Sequence, residues 1–318
     1  MTITKTIKAI KPVYSYYFPE VREIIDRVVS EFPHDILLKS VFPGLDDFHL
    51  EVIDKYINFY KKEIPAISNF QFKYTSSGSS EGIFHLLVWI KTNHPKTPIY
   101  TFKGEYEGYK GYGENIGLKV SEIDLDSTEF EKLKPGFWFI SNPSAINGSI
   151  IPNNKIISIC EAGHRVIYDL AYLGMSKTHR FDLSHPNIIA VVCSMSKPFG
   201  LFYYRVGFTF SRFEIKTLYP NVWFKNILSL IIADNILSSF KSDYFYSKYG
   251  PLQKKILKKI RKVSGVKILP SDVYLLGYLT KKDYLRLPEK LKSEISKFQR
   301  HDFFRFCLTP YFLEQEEK

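Results

Sequence analysis

The feature that most constrains the fold is an alternation of short apolar stretches with helical patterns from about residue 70 onwards. The strand-like stretches are residues 98–102, 117–123, 137–140, 165–168 and 188–194, and the helical ones are residues 82–91 and 154–162. Strands that alternate with helices form a mostly parallel, doubly wound sheet, because each helix returns the chain to the starting edge. The sequence therefore predicts an α/β fold whose ligands bind beyond the carboxyl ends of the strands.

The two ends of the chain differ from this middle part. The N-terminal arm has one short helical pattern, residues 21–32, and too few apolar residues for a core of its own. Beyond residue 222 the helical patterns cover residues 223–241 and 287–298, and the strand patterns cover residues 273–279 and 303–308. We therefore predict a large domain of residues 46–222 and a small α+β domain. In the small domain, the arm of residues 1–45 packs with residues 223–318.

The charge balance narrows the possible partners. The chain has 44 Lys and Arg against 33 Asp and Glu, a net charge of +11. Such a balance suits a nucleic acid, an anionic membrane or a small acidic ligand. The densest basic cluster, residues 254–262, alternates with apolar residues at helical spacing, which favours an amphipathic helix with a solvated basic face. No nucleic-acid-binding signature accompanies it, so we predict no nucleic-acid partner.

Other features concern the compartment. The longest apolar stretch, residues 227–237, is too short to cross a bilayer, so we predict no membrane partner. The first residues lack the apolar run of a signal peptide. Three cysteines, Cys160, Cys193 and Cys307, form neither a disulfide framework nor a metal-binding pattern. We expect a cytoplasmic protein without a bound metal.

Polar residues gather where the predicted strands end. A run of small residues, 76–82, opens a helix, where free backbone N–H groups can hold a phosphate. The same run also fits an ordinary loop and helix cap. Asp169 follows the strand of residues 165–168, where a buried carboxylate is costly without a cationic partner. Capping of the next turn is the alternative for Asp169.

A lysine follows the apolar strand of residues 188–193. Lys197 lies among Ser194, Ser196 and Gly200, and Arg205 comes eight positions later. Most lysines are solvated surface groups, but few have this setting of small residues after a buried strand. The pattern therefore indicates a chemical role for Lys197.

These motifs resemble those of a known family. The run from Ser194 through Lys197 and Arg205 to Gly207 is similar to the cofactor-lysine motif of fold-type I pyridoxal-phosphate enzymes. The order and spacing of Asn142, Asp169, Tyr172 and Lys197 resemble those of the class I and II aminotransferases. Within that class, the branch of histidinol-phosphate aminotransferases and threonine-phosphate decarboxylases is the most similar. The resemblance covers about residues 40–310 and is strongest over 75–210. One such motif is weak, but four in the right order at strand ends are specific.

The resemblance implies roles around the cofactor, pyridoxal 5'-phosphate. Lys197 would form a Schiff base with its aldehyde and then act as a general base. Asp169 would keep the pyridine nitrogen protonated, and Asn142 and Tyr172 would hydrogen-bond the phenolic oxygen. Tyr106 would stack on the ring, with Tyr109 as its rival and a core position as the alternative for both. The residues expected to bind the phosphate end are Gly78, Ser79, Ser80, Ser194 and Arg205.

The resemblance also bears on the substrate. Arg305 lies inside an aromatic strand and resembles the family's late arginine, which binds the substrate's α-carboxylate. The planar guanidinium can donate two parallel hydrogen bonds to a carboxylate, which suits that role. Asn142 would also contact the substrate, and pairing with a nearby acid is the alternative for Arg305. Phe42 stands where the family usually has a tyrosine that reaches the partner subunit's phosphate.

The resemblance implies an aminotransferase that forms a homodimer and moves an amino group between an amino acid and a 2-oxo acid. Decarboxylation and β-elimination or C–S lysis remain open, because Lys197 and Asp169 serve all of these reactions alike. The alternative of another class is a non-catalytic regulatory or binding protein that retains the fold, for which the charge of +11 would suit a nucleic acid.

Overall fold

The computed structural model describes residues 7–16, 18–32 and 45–314. Its large sheet has seven strands: β1 (Phe72–Ser76), β2 (Ile99–Phe102), β3 (Val120–Ile123), β4 (Phe137–Ser141), β5 (Arg165–Leu170), β6 (Ile188–Ser194) and β7 (Gly207–Ser211). Their order across the sheet is β1-β7-β6-β5-β4-β2-β3. Strands β2 to β6 run parallel, and β7 runs antiparallel between β6 and β1. The prediction of a mostly parallel α/β sheet is confirmed.

Helices connect and cover these strands. They are α1 (Pro19–Glu31), α2 (Phe48–Phe59), α3 (Ser79–Asn93), α4 (Glu107–Asn115), α5 (Asn153–Glu161), α6 (Ile227–Ser239), α7 (Tyr244–Ser264), α8 (Lys281–Leu285), α9 (Glu289–Ile295) and α10 (Thr309–Leu313). Helix α3 buries Ile83, Leu86, Leu87 and Ile90, whose spacing puts them on one face against the sheet. Full burial of each such side chain contributes about 1.5–3 kcal/mol. This face fixes the N-terminus of α3 beside the ends of β1 and β6.

Two elements depart from the sequence pattern. Helix α4 was not predicted, because Gly108, Gly111 and Gly113 lower its helix propensity. It forms because the helix buries Tyr109 and Gly113 against the sheet. The strand predicted over residues 273–279 is wrong in its first half, where a turn places the N–H of Leu276 on the carbonyl of Val273 at 2.9 Å.

A second sheet contains the late strands. Its members are β8 (Leu269–Pro270), β9 (Leu276–Thr280), β10 (Gln299–Arg300) and β11 (Phe303–Cys307), all antiparallel, in the order β10-β11-β9-β8. The N-terminal segment pairs with its β11 strand, because Ile10 and Cys307 exchange backbone hydrogen bonds of 3.2 and 2.9 Å. Segments from both ends of the chain therefore meet at β11.

The basic cluster lies on α7, as its spacing predicts. Ile256, Leu257 and Ile260 are buried, while Lys254, Lys255, Lys258, Lys259, Arg261 and Lys262 are exposed. Across the described parts of the chain, no helix combines the length and apolar character needed to cross a membrane.

Candidate active site

A cavity of about 540 Å³ lies at the carboxyl ends of β4, β5 and β6, the edge where such sheets bind ligands. Nine of the residues expected from the sequence line it: Ser79, Ser80, Tyr106, Asp169, Tyr172, Ser194, Lys197, Arg205 and Arg305. They come from strand ends, helix starts and the late strand β11. Residues more than 200 positions apart in the sequence thus share one cavity.

The carboxyl group of Asp169 accepts hydrogen bonds from two donors of the protein. The N–H of Ala171 donates to its Oδ1 at 2.9 Å, and the hydroxyl of Tyr109 donates to its Oδ2 at 2.8 Å. Burial raises the pKa of Asp169, whereas the Tyr109 hydrogen bond and the charge of Lys197 act against that rise. The carboxyl group is therefore fixed in orientation, with one edge lining the cavity.

Lys197 reaches into the cavity from the turn after β6. Its Nζ lies 4.9 Å from the ring centroid of Tyr172. Burial lowers the pKa of Lys197, Asp169 raises it, and Arg305 and Arg205 lower it further. The net lowering increases the fraction of neutral amine, which is the nucleophilic form of a lysine.

One end of the cavity is suited to an anion. Helix α3 begins there at Ser79, so its first N–H groups have no partner within the helix. The guanidinium of Arg205 donates to Ser196 Oγ at 3.2 Å and to the carbonyl of Ser77 at 2.5 Å. Gly78 precedes the helix with φ of +95°, and a Cβ there would lie 2.9 Å from Arg205 Nη2. Gly78 is thus needed for the close approach of Arg205.

Tyr106 and Tyr109 occupy different positions. Tyr106 lines the cavity, and its hydroxyl lies 3.0 Å from Ser80 Oγ. Tyr109 is fully buried behind it and bonds Asp169. Of the two rivals, Tyr106 is the ring that a planar ligand in this cavity could contact.

The structure does not bring Asn142 into the cavity lining. Its Nδ2 donates to the Ile151 carbonyl at 2.9 Å and to the Tyr168 hydroxyl at 2.6 Å, and its Oδ1 accepts from the Ile151 N–H at 2.9 Å. Asn142 is completely buried. These contacts tie the end of β4 to the following loop and leave little hydrogen-bonding capacity for a ligand.

Arg305 projects from β11 into the opposite side of the cavity. It is 3% exposed, donates through Nη1 to the Ala145 carbonyl, and donates through Nη2 to the Lys11 carbonyl at 3.2 Å. Its Nε is buried without a partner among the described residues. The two carbonyls use only two of the five N–H donors of a guanidinium that lines the cavity, so donors remain for an anion.

Comparison with known proteins identifies the family. The model of the family described as aminotransferase class I and II matches residues 23–251. The chain belongs to this family. Its region of strongest motif similarity, residues 75–210, lies inside the match.

One curated relative is the histidinol-phosphate aminotransferase of Caldanaerobacter subterraneus subsp. tengcongensis. It is 27% identical over 216 residues, which cover 62% of this chain and 60% of the relative. The chain thus spans less than two thirds of that relative's length.

Solved structures share the fold over nearly the whole chain. Histidinol-phosphate aminotransferase from Sinorhizobium meliloti, in complex with pyridoxal-5'-phosphate, has a TM-score of 0.67 at 15% identity and covers 94% of this chain and 84% of its own. L-threonine-O-3-phosphate decarboxylase from Porphyromonas gingivalis has a TM-score of 0.65 at 11% identity, covering 96% of this chain and 98% of its own. The fold-type I assignment is confirmed.

Several residues around the cavity of this family member escaped prediction. Arg300 lines the cavity, and its guanidinium bonds the carbonyls of Gly104 and Glu105, both at 3.1 Å, and the carboxylate of Glu107. It lies in a polar hairpin, which carries no distinctive pattern. Lys11 lines the cavity too, from the N-terminal segment. Phe42, the departure noted in the sequence, lies outside the described residues.

Proposed function

We propose that the chain is a pyridoxal-phosphate-dependent aminotransferase that moves an amino group between an amino acid and a 2-oxo acid. The observation that carries the proposal is the convergence of a half-buried lysine, a buried acid and a buried arginine, Lys197, Asp169 and Arg305, on one cavity. A lysine that binds an aldehyde, an acid that pairs with a ring nitrogen and an arginine that binds a carboxylate are the groups this chemistry requires.

The cavity fits the cofactor at three points. The start of α3 and Arg205 suit its phosphate. Asp169 suits its ring nitrogen, and Lys197 suits its aldehyde. When bound, pyridoxal phosphate supplies an aldehyde that attaches amines and a ring that withdraws electrons.

The residues of the chain divide the work. The amine of Lys197 would hold the cofactor through its aldehyde and would carry the proton at the substrate's Cα. The carboxylate of Asp169 keeps the ring nitrogen protonated. Tyr172, which lines the cavity, donates to the phenolic oxygen, a role that we also assigned to Asn142. Because its side chain is engaged elsewhere, Asn142 supports the loop after β4. Arg305 binds the α-carboxylate.

The cofactor assignment is tested by covalent trapping. Borohydride reduction of the reconstituted protein should fix the cofactor on Lys197, as read by mass spectrometry of the peptide. Lys197→Ala should abolish the label, and the exposed Lys216→Ala should retain it. Trapping that persists in Lys197→Ala would refute the assignment.

The reaction type is tested by its products. Amino transfer converts an added 2-oxo acid to an amino acid. Decarboxylation releases CO₂, and elimination releases ammonia. The similarity in fold to a decarboxylase keeps that alternative open, since the same lysine and acid serve each reaction. Salt-sensitive DNA binding without cofactor attachment would favour the non-catalytic alternative.

Three further features belong to the proposal. The enzyme is a homodimer, as closed two-fold assemblies are the commonest. It is cytoplasmic and acts on small molecules without a nucleic-acid or membrane partner. Residues 46–222 form the cofactor domain, and residues 1–45 and 223–318 form the small domain. Hydrogen bonds between α1 and α7, such as Tyr249 to Glu20 at 2.7 Å, support this pairing of the two ends.

A further inference from the structure

Glu105 is a buried carboxyl group with no part in the mechanism above. It lies in the turn between β2 and α4 and is 4% exposed. It accepts three hydrogen bonds, from the hydroxyls of Ser141 and Ser144, the latter at 2.5 Å, and from the N–H of Ala145 at 3.2 Å. A buried carboxylate is costly, so three dedicated donors indicate that this contact specifies a local geometry.

The same segment holds the substrate side of the cavity. The N–H of Ala145 donates to Ser141 Oγ at 2.7 Å and to Glu105 Oε2 at 3.2 Å, and the Ser141 hydroxyl itself donates to Glu105. The carbonyl of Ala145 accepts from Nη1 of Arg305. One residue thus connects the carboxylate to the guanidinium. A shift of Ala145 would move the acceptor that orients Arg305, and recognition of a planar carboxylate depends on that orientation.

A second connection leads to the cofactor side. The hydroxyl of Tyr109 donates to Asp169 on that side. Burial raises the pKa of Glu105 to about 7, its three donors act against that rise, and the charge of Asp169 adds to it. The two buried acids therefore interact through their charges.

We propose that Glu105 is a positioning residue, whose carboxylate holds Ala145 in the place from which its carbonyl orients Arg305 for the substrate's carboxylate. The proposal rests on the proposed function, because it assigns Glu105 to the binding of that substrate. Glu105 touches neither cofactor nor substrate and acts through Ser144 and Ala145.

The first test measures preference for a carboxylate without the natural substrate. Aminooxyacetate and methoxyamine both react with an aldehyde, but only aminooxyacetate carries a carboxylate. The ratio of their rate constants on the holoenzyme, followed by loss of the cofactor–lysine absorbance, reports recognition by Arg305. Glu105→Ala should lower this ratio about tenfold, equivalent to about 1.4 kcal/mol.

Conservative and control variants separate positioning from general damage. Glu105→Gln keeps an acceptor for Ser141 and Ala145, and its amide can donate to Ser144, so the ratio should stay within about threefold of the parent. Glu114→Gln, the same change at an exposed site on α4, should leave the ratio unchanged. A drop in Glu114→Gln as large as that in Glu105→Ala would overturn the proposal.

A double-mutant cycle decides whether Glu105 acts through Arg305. In an Arg305→Ala background, Glu105→Ala should change the ratio by less than about twofold, because coupled residues are not additive. An equal drop in both backgrounds, or no drop in either, would overturn the proposal. Should Glu105→Ala not fold, Ser144→Ala takes its place, with an expected drop of about threefold.

The last readout needs no cofactor. In the cofactor-free protein, Glu105→Ala should speed hydrogen exchange at residues 144–146 about tenfold, and Glu105→Gln should restore protection. The reason is that the Ala145 N–H loses one of its two acceptors, and the other, the Ser141 hydroxyl, loses the carboxylate that orients it. Unchanged exchange would overturn the positioning role while leaving the proposed function intact. A parent protein that attaches no cofactor would overturn both.

Discussion

Replacement of Arg305 tests the substrate side of the proposal most directly. Its side chain is nearly enclosed, and two backbone carbonyls, of Ala145 and Lys11, hold it. Its Nε has no hydrogen-bond partner within the part of the chain that the structure describes. Burial lowers the pKa of Arg305, but a guanidinium remains charged because its ordinary pKa is so high. The site therefore presents a fixed positive fork to the cavity.

The magnitude follows from that environment. Loss of a charge-assisted pair in a partly desolvated site costs about 2–4 kcal/mol. Since 1.4 kcal/mol is tenfold, Arg305→Ala should weaken amino-acid binding about 30- to 1000-fold. Arg305→Lys should recover only part of this, because an ammonium cannot reproduce two parallel hydrogen bonds. The lost donors to Ala145 and Lys11 should also lower the free energy of unfolding by about 1–3 kcal/mol.

The assay is a titration of the holoenzyme with amino acids, followed by the cofactor absorbance. Amines without a carboxylate should bind Arg305→Ala as well as they bind the parent, which separates carboxylate recognition from damage to the cofactor site. Arg261→Ala, at an exposed position on α7, is the matched control. If Arg305→Ala binds amino acids like the parent, the carboxylate is held elsewhere and the reasoning fails.

Three other predictions concern the acid, the assembly and pH. Asp169→Asn should fold normally but slow turnover by about 10² or more, since an amide cannot stabilise a protonated ring nitrogen; near-parent single-turnover rates would exclude the role. Sedimentation at micromolar concentration should give a dimer, and a fully active monomer would contradict this. Burial works to raise the pKa of Glu20, but hydrogen bonds from Lys248 and Tyr249 outweigh it, and the net pKa is lowered. Glu20 therefore stabilises the fold above its unfolded-state pKa and loses that contribution as pH falls through its folded-state pKa. Chemical denaturation should show Glu20→Gln less stable than the parent at pH 7, with a difference that shrinks as the pH falls; an equal difference at pH 7 and pH 3 would contradict the linkage.

The sequence predicted the residues at the Lys197 end of the cavity, because their signals are local. Strand β6 is buried on both faces, so it is apolar throughout, and Lys197 stands out directly after it. A glycine is required at position 207 of the same motif, because a Cβ there would lie 2.5 Å from the Cys193 carbonyl oxygen and from Gly78 Cα. A motif with such backbone constraints keeps a recognisable spacing.

The parts that were missed depend on contacts between distant segments. Glu105 faces a loop almost 40 residues later, and Arg300 bonds the carbonyls of Gly104 and Glu105 nearly 200 residues earlier. No periodicity in a single sequence predicts hydrogen bonds between segments so far apart in the chain. Asn142 shows the reverse: its asparagine-proline turn drew attention, but its hydrogen bonds go to the loop after β4. Only the folded geometry distinguishes a ligand-binding amide from one that braces a loop.

We expect the surroundings of Arg305 to decide among transamination, decarboxylation and elimination. In the proposed function, Lys197, Asp169 and the anion site at α3 would hold the cofactor in the same manner whichever bond breaks at Cα. The bond that breaks is the one held perpendicular to the ring, and a carboxylate fixed beside the ring plane leaves the Cα–H bond in that position. In the proposed function Arg305 would set where the carboxylate lies. The guanidinium is itself held by carbonyls from the loop after β4 and from the N-terminal segment. If the proposed function holds, the residues that position Arg305 should influence the reaction type, and substitutions at Lys11, Ala145 and Glu105 are where a change of reaction should be sought.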